Sequence, residues 1–493
     1  MHDGTRMLIA ALGVATLLPM ARADDDPSPS RPTMSHQAPV PRGEDVVNLT
    51  VTDAVFLGLR GNRSIRSAYL SRLAQKFDLR VAEDYFSPKL LVTGRITGNR
   101  NQDDRSRQGL FSPETTMVSE FGTRLSLGWI RQLSNASRTG GFRDDGVTLA
   151  IIQPLLRGAG REVATAPVRM ARLIEQSNRL ALQESVSRTV TQIVQAYWQL
   201  LRAQEQVTIA QAALQRSRGL LEINKALIAA GRMAQVDVVQ TEADVATQEF
   251  NVENTDNDLN ASRLALLQLL ALDLHSRIRV SDTPEKAPSR LSLQDAQRIA
   301  LTHQPQYLRQ VIAREQADIN LVVARDNRLW DVALMGGASQ GRTRRAGQSE
   351  AVSDRRWEGY VGIQLQIPIG DLSTRQAEVH AKTDADNQAL LLENAEKQLA
   401  LDVSNAVREL ASRWRQYEIA GRVRDLSRQK LEIEHQKLQA GRSSNFQVLA
   451  FETDLRGAES ARLNALISYL DAQAQLDLEL GMTLQSWGIS LND

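Results

Sequence analysis

Cysteine is absent from this 493-residue chain, and aromatic residues make up only 4% of it. Without cysteine there can be no disulfide, thiol nucleophile, cysteine-ligated zinc or lipidated N-terminal cysteine. A formal net charge of +1 gives no reason to expect binding to nucleic acid. The chain is instead rich in Ala, Leu, Gln, Glu and Arg, a composition typical of long helices and coiled coils.

Long apolar runs are also missing, with one exception at the N-terminus. Residues 7–20 are apolar, and the small-x-small site Ala21-Arg22-Ala23 follows them. This order predicts an export signal over residues 1–23, followed by a flexible leader over residues 24–48. No other run approaches about 18 apolar residues, so any membrane span has to be made of strands.

Motifs for catalysis, metals and cofactors are missing as well. The six histidines form no metal-spaced cluster, and the sequence has neither a nucleophile elbow nor a phosphate loop. We interpret Gly158 and Gly160 as a bend between a strand and a helix. We therefore expect a protein that is not an enzyme and that binds no cofactor.

The sequence contains an internal repeat. The segment that begins at Leu49 aligns without gaps with the segment that begins at Leu291, and Ala230–Val245 aligns with Ala440–Leu455. Self-similarity of this kind indicates two copies of one structural unit. The predicted division is a first repeat over 49–285, a second repeat over 286–482, and a C-terminal tail over 483–493.

Each unit has the same predicted order of elements. An amphipathic helix (49–84 or 291–327) precedes two strands that alternate with period two and are joined by a polar loop. A helix of about 63–66 residues, roughly 95–100 Å long, then runs to the repeated turn, and a shorter antiparallel helix returns (235–272 or 445–480). Pro167 suits the first turn of one long helix, while Ser373 and Gln376 resemble a capping box for the other.

Both long helices carry a heptad pattern. Large apolar residues recur every seven positions, and small residues lie three positions beyond most of them, which lets a neighbouring helix approach closely. The large positions are Val186, Ile193, Leu200, Val207, Leu214, Leu221 and Ile228 in the first unit, and Val403, Leu410, Tyr417, Leu431 and Leu438 in the second, where Arg424 interrupts the series.

Two strands from each unit give four predicted strands per chain, too few to close a membrane barrel, which needs at least about eight. Copies must therefore assemble, because an open sheet edge cannot face lipid. Three copies would supply twelve strands and leave a lumen. Gln364, Gln366 and Arg95 would then face water, and the alternate apolar residues would face lipid.

In these features the chain resembles the TolC-like outer-membrane efflux proteins over essentially its full mature length. The resemblance rests on the repeat, on the junction QPLLRGAGR (Gln153–Arg161), and on two hairpin tips, AGR-x3-V-D-V-V-Q and AGR-x3-F-Q-V-L-A. It implies an α+β membrane protein that forms a homotrimer in the outer membrane of a Gram-negative bacterium. In such a trimer the helical hairpins form an α-barrel across the periplasm, joined to a 12-stranded transmembrane β-barrel.

The resemblance also implies partners and site residues. The tips of such proteins meet a periplasmic adaptor bound to an inner-membrane transporter. The corresponding tip residues here are Ala230, Gly231, Arg232, Met233, Ala440, Gly441, Arg442 and Ser443. Members of the family place two aspartates after the second tip, at the periplasmic gate; here those positions are Gln447 and Ala450, and their counterparts in the first unit are Asp237 and Gln240.

Together these features predict a passive conduit for substrates that a pump delivers. The alternatives are the conduit of a type I protein secretion system and, in a different class, an exported coiled-coil scaffold that transports nothing. The strand region of the first unit carries 28 extra residues, which we expect to lie mostly outside the cell.

Overall fold

The structure is a computed structural model that describes residues 46–491, apart from residues 101, 103–104, 138–139, 233, 284–286, 289–290 and 347–350. The predicted export signal, most of the predicted leader and the tip residue Met233 lie outside the described residues.

The chain alternates helical regions with strands. In order, its elements are β1 (Val47–Leu49), α1 (Val51–Gly61), α2 (Arg63–Glu83), β2 (Lys89–Arg100), β3 (Arg105–Val118), β4 (Arg124–Ala136), β5 (Gly140–Pro154), α3 (Arg161–Ala164), α4 (Ala166–Ala229), α5 (Val236–Leu270), β6 (Ile278–Val280), α6 (Leu293–His303), α7 (Pro305–Asn327), β7 (Asp331–Ala346), β8 (Ala351–Gln366), α8 (Ser373–Gln439), α9 (Asn445–Glu479) and α10 (Thr483–Ser486). None of the described helices combines the length and the apolar character needed to span a bilayer.

Six strands form one antiparallel sheet in the order β2-β3-β4-β5-β7-β8. The prediction of four strands per chain is therefore wrong. The reason is that the extra residues of the first unit fold as the hairpin β3–β4, which pairs along β2 on one side and β5 on the other.

The turn of this hairpin lies at the end of the sheet where the helices begin. Glu120 forms an ion pair with Arg161 at 3.0 Å, and the Thr123 hydroxyl donates to Gln153 Oε1 at 2.5 Å. Both partners belong to the junction between β5 and the long helix. The extra segment thus runs the length of the sheet and back as two of its strands, whereas we expected it to lie mostly beyond the sheet, outside the cell.

One face of the sheet is apolar and exposed across all six strands. Val361 and Ile363, for example, are 83% and 70% exposed. This face carries Leu90, Val92, Ile96, Phe111, Met117, Leu125, Leu127, Trp129, Val147, Leu149, Ile151, Val332, Leu334, Trp357, Val361, Ile363 and Leu365. The predicted alternation is confirmed, because Gln364, Gln366 and Arg95 lie on the opposite face.

Each initial helix is divided in two, where a single helix was predicted. In the first unit the break falls at Asn62, whose side chain caps α2 by accepting from the Ser64 amide at 2.8 Å. In the second it falls at Gln304, because Pro305 cannot continue the preceding helix but suits the first turn of the next.

The long helices agree with the heptad prediction in part. Helix α4 has 64 residues and α8 has 67. The predicted large positions of α8 and the first three of α4 are buried. The last four of α4, which are Val207, Leu214, Leu221 and Ile228, are half-buried. Pro167 lies in the first turn of α4, as predicted. The predicted capping box of α8 is wrong, because Leu372 is the N-cap and Asp371 Oδ1 accepts from the Ser373 amide at 2.8 Å.

The largest buried side chains surround the base of the first hairpin. Tyr197 of α4 is fully buried, and its hydroxyl contacts the Leu49 carbonyl and Asp282 Oδ2, each at 2.8 Å. Strand β1 pairs in parallel with β6 beside it. This contact fastens the start of the described chain to the end of the first hairpin, so that the hairpin is anchored at its base.

Candidate functional site

The two hairpin tips have the same backbone geometry. After α4, the Gly231 and Arg232 amides donate to the carbonyls of Ile228 and Leu227 at 2.8 and 2.9 Å. After α8, the Gly441 and Arg442 amides donate to Leu438 and Lys437 at 2.9 and 2.8 Å. This pair of bonds is the Schellman motif, which satisfies the last carbonyls of a helix.

Each tip requires glycine because of its backbone conformation, and not because a larger side chain would clash with its surroundings. The φ angles of Gly231 and Gly441 are 71° and 72°, and a Cβ added at either would meet no other atom within 4 Å. Both glycines therefore adopt the left-handed conformation that ends a helix, and the equivalence of the two turns extends from sequence to hydrogen bonds.

The arginines that follow these glycines are exposed. Neither Arg232 nor Arg442 has a side-chain hydrogen bond or ion pair to any described residue. Ala230 and Ala440 are exposed beside them. Each tip therefore presents one guanidinium to whatever lies beyond it, together with a surface of small side chains.

Ser443 holds the second tip to its own helix. Its hydroxyl donates to Glu434 Oε1 at 2.5 Å, and Lys437 donates to the other carboxylate oxygen at 3.1 Å. The Ser443 hydrogen bond, supported by the one from Lys437, lowers the pKa of Glu434 below its usual value. A charged Glu434 thus stabilises the turn at neutral pH.

A buried polar cluster joins the two hairpins directly behind the tips. Asn224 of α4 donates to Thr241 Oγ1 at 2.8 Å and to Asn445 Oδ1 at 2.7 Å, and all three side chains are at most 2% exposed. Asn445 Nδ2 also donates to the Asp237 carbonyl at 3.2 Å. The first residue of α9 is therefore fixed to the beginning of α5.

This cluster places two of the four predicted gate positions on adjoining segments. Asp237 lies half-buried in the first turn of α5, and Gln447 lies half-buried in the first turn of α9. Gln240 is exposed and Ala450 half-buried, one turn further along their helices. Sequence reasoning missed Thr241 and Asn445. A signal for the cluster was available in Asn224, a polar residue three positions beyond the large heptad position Leu221.

Ion pairs tie the hairpins together again further from the tips. Arg216 of α4 lies 2.8 Å from Glu452 and 3.6 Å from Glu459, both on α9. Within the second hairpin, Arg428 of α8 contacts Glu459 at 3.1 Å, and His435 lies 3.5 Å from Glu452. Arg216, Arg428, His435 and Glu459 border a cavity of about 250 Å³. Among the residues that the structure describes, no group of three or more His, Asp or Glu side chains could hold a metal ion.

The junction QPLLRGAGR makes the bend that was predicted. Gly158 and Gly160 have φ angles of 78° and 91°. The Gly158 amide donates to Asp326 Oδ2 at 2.7 Å, and Arg157 pairs with Asp331 at 2.5 Å. The end of the first strand region is thereby bonded to the start of the second.

A sheet with one apolar face, joined to two long helical hairpins, is the fold of the TolC-like outer-membrane channels. Three solved structures illustrate the likeness. CusC is 17% identical, with a TM-score of 0.66, over 92% of this chain and 99% of that one. VceC from Vibrio cholerae is 15% identical, with a TM-score of 0.65, over 87% and 96%.

The third structure is the open state of the MtrE outer-membrane channel from Neisseria gonorrhoeae. It is 16% identical, with a TM-score of 0.63, over 93% of this chain and 98% of that one. No protein-family profile and no curated protein sequence matches the chain. The likeness is thus one of fold, over nearly the whole length of both chains.

Proposed function

We propose that this protein is the outer-membrane channel of a tripartite efflux system, a passive conduit across the periplasm and the outer membrane. One observation carries the proposal: a sheet whose exposed face is apolar on every strand is continuous with two helical hairpins whose long arms span about 95–100 Å. The apolar face suits lipid, and the hairpins suit a tube that reaches into the periplasm.

The sheet requires further copies of the chain to close. Strands β2 and β8 are its edges, and unpaired strand edges are not tolerated in lipid. Because the number of strands is even and all neighbours are antiparallel, β2 of one copy would meet β8 of the next in antiparallel orientation. Three copies, the number that the resemblance implies, would then form a barrel of eighteen strands and not of twelve.

The tips are the proposed docking site for a periplasmic adaptor, which would connect the channel to an inner-membrane transporter. The identical turns at Gly231 and Gly441 support this role, because three chains would present six equivalent tips in a ring. The internal repeat of the chain supports the same role, because it gives each chain two equivalent hairpin tips. The inner-membrane partner would select the cargo, so small-molecule efflux and type I protein secretion both remain compatible with the channel itself.

The proposal is tested by assembly and conductance measured on the same preparation. Native mass spectrometry in detergent should give a trimer, and the same protein in a planar bilayer should give discrete channel openings. A stable monomer would contradict the assembly. A trimer that never conducts, even after the tips are loosened by Asn224→Ala, would favour the exported coiled-coil scaffold.

A further inference from the structure

Arginines are concentrated on one face of the sheet at the end that lies away from the helices. They lie on the apolar face, just beyond the apolar residues. The group, here called the arginine belt, comprises Arg100, Arg105, Arg107, Arg143, Arg342, Arg344 and Arg355. The near-zero net charge of the whole chain conceals this local concentration of positive charge.

Within the belt, arginine faces arginine across neighbouring strands. The register pairs Arg100 with Arg105, Arg143 with Arg344, and Arg342 with Arg355. Like charges directly opposite each other destabilise a sheet. The pairs Arg143–Arg344 and Arg342–Arg355 are therefore unfavourable unless anions lie between them.

Among the described residues, Asp145 is the acidic side chain that pairs with the arginines on this face of β5, β7 and β8. Asp145 is bonded to Arg143 at 2.7 Å and lies 3.5 Å from Arg131. Arg342, Arg344 and Arg355 are exposed, and none of them forms an ion pair with a described residue. Arg342, Arg344 and Arg355 are therefore available to bind anions.

The position of the belt indicates what kind of anion it meets. Trp357, which is 83% exposed, lies two residues from Arg355 on the same face, a separation of about 7 Å along the strand. Tryptophan is enriched at the boundary between hydrocarbon and headgroups in membrane barrels. The belt therefore begins where the headgroup layer would begin, at the end of the sheet opposite the periplasmic helices.

We propose that the arginine belt binds phosphate-bearing lipid headgroups of the outer leaflet, each phosphate bridging an arginine pair across two strands. Guanidinium groups suit this ligand because they bind phosphate oxygens bidentately. The inference rests on the proposed membrane role, because only a sheet inserted in a bilayer brings its apolar face and belt to the lipid.

The test compares two triple variants of the full-length protein. Arg342→Gln, Arg344→Gln and Arg355→Gln remove three belt charges. Arg95→Gln, Arg345→Gln and Arg356→Gln remove three arginines from the opposite face of the same sheet. The probe is lipid A with two phosphate groups, titrated against each protein in neutral detergent, alongside the same glycolipid without phosphates.

The belt variant should bind the phosphorylated lipid about 100-fold more weakly than the unmodified protein, since each arginine near an anionic lipid surface contributes roughly a fivefold factor. The opposite-face variant should bind as the unmodified protein does. In the absence of anionic lipid, the belt variant should unfold at the same temperature or a higher one, because like-charge repulsion is relieved.

Three results would overturn the inference: equal binding by the belt variant, equal binding of the lipid without phosphates, or equally effective competition by inorganic pyrophosphate, which would mark a general anion site. Co-flotation with phosphatidylcholine vesicles separates this inference from the proposed function. If the protein floats with the vesicles but shows no preference for phosphate, the result contradicts only the proposed lipid binding by the belt. If the protein fails to float, the result contradicts both the membrane role and the proposed lipid binding.

Discussion

At the scale of single residues, the tip glycines fix the shape of the turns. Gly231→Ala and Gly441→Ala should each destabilise the protein by about 1–2 kcal/mol, because the left-handed conformation brings Cβ close to the next carbonyl oxygen. Gly219 and Gly421 are matched controls on the same two long helices, where alanine is favoured by about 1 kcal/mol. The unfolding temperature should therefore fall for the two tip variants and rise for the two control variants. Equal shifts in all four would show that the turns tolerate alanine.

Asp471 makes stability depend on pH. Burial on α9 raises its pKa from the usual value of 3.8 to about 6, partly offset by a hydrogen bond from Gln199 and by the charge of Arg202. The folded protein therefore holds this proton more tightly than the unfolded chain does, and stability falls as the pH rises from about 4 to 6.

Asp471→Asn should consequently raise the unfolding temperature at pH 7.5 and flatten its change between pH 4 and 6. Asp454 provides the control, since it is exposed on the same helix and paired with Lys430 at 3.0 Å. Asp454→Asn should not raise the unfolding temperature at pH 7.5, because it removes an exposed ion pair and no buried charge. If both variants keep the same slope, another group titrates in this range.

At the scale of elements, the hairpin β3–β4 should decide the width of the barrel. Barrel diameter grows roughly in proportion to strand number, so eighteen strands make a barrel about 1.5 times as wide as twelve. Deleting residues 105–136 leaves β2 and β5 antiparallel and joined by a short loop, so the narrower barrel should still close. Electron cryomicroscopy in nanodiscs would measure both widths. Equal barrel widths for the full protein and the deletion variant would show that β3 and β4 are not part of the barrel wall.

The sequence predicted the helices of this fold better than its strands. Heptads over more than sixty residues repeat one signal many times, so the bounds of α4 and α8 could be predicted closely. The strands of the added hairpin are shorter, and Pro113 obscures β3, since proline has no amide to donate. Its ladder with β4 is interrupted at residues 112–113.

Some features of the candidate site could likewise be predicted from the sequence, and others could not. Gly231 and Gly441 could be located because a helix end with a repeated glycine is a local signal. The contact of Asn224 with Asn445 could not, because it joins residues 221 positions apart whose pairing depends on how the two hairpins pack. Single polar residues in a heptad indicate a buried hydrogen bond but do not identify its partner.

At the scale of the whole molecule, the tip arginines should govern docking. Arg232→Glu with Arg442→Glu should leave trimers in the outer membrane but abolish transport, because charge reversal changes the surface that meets the adaptor and leaves the buried heptads intact. Arg218→Glu with Arg408→Glu, on exposed positions of the long helices, is the matched control. Normal transport by the tip variant would show that these arginines are merely solvated.

We expect Asp237 to influence ion selectivity at the proposed channel entrance. The acidic pair that the family places after the second tip is replaced here by Gln447 and Ala450, so a trimer would carry three Asp237 carboxylates near the entrance. Carboxylates confined in a ring attract cations and repel one another. Asp237→Asn should therefore lower the preference for cations in single-channel recordings at low salt, while Asp256→Asn, further along α5, should not.

Asp237 also lies in the first turn of α5, where a negative charge near the helix N-terminus stabilises the helix by about 0.3–1 kcal/mol. The two roles differ in what they change: a ring of charge alters selectivity, whereas a dipole partner alters only stability. Unchanged selectivity with a slightly lower unfolding temperature would show that Asp237 acts only through the helix dipole.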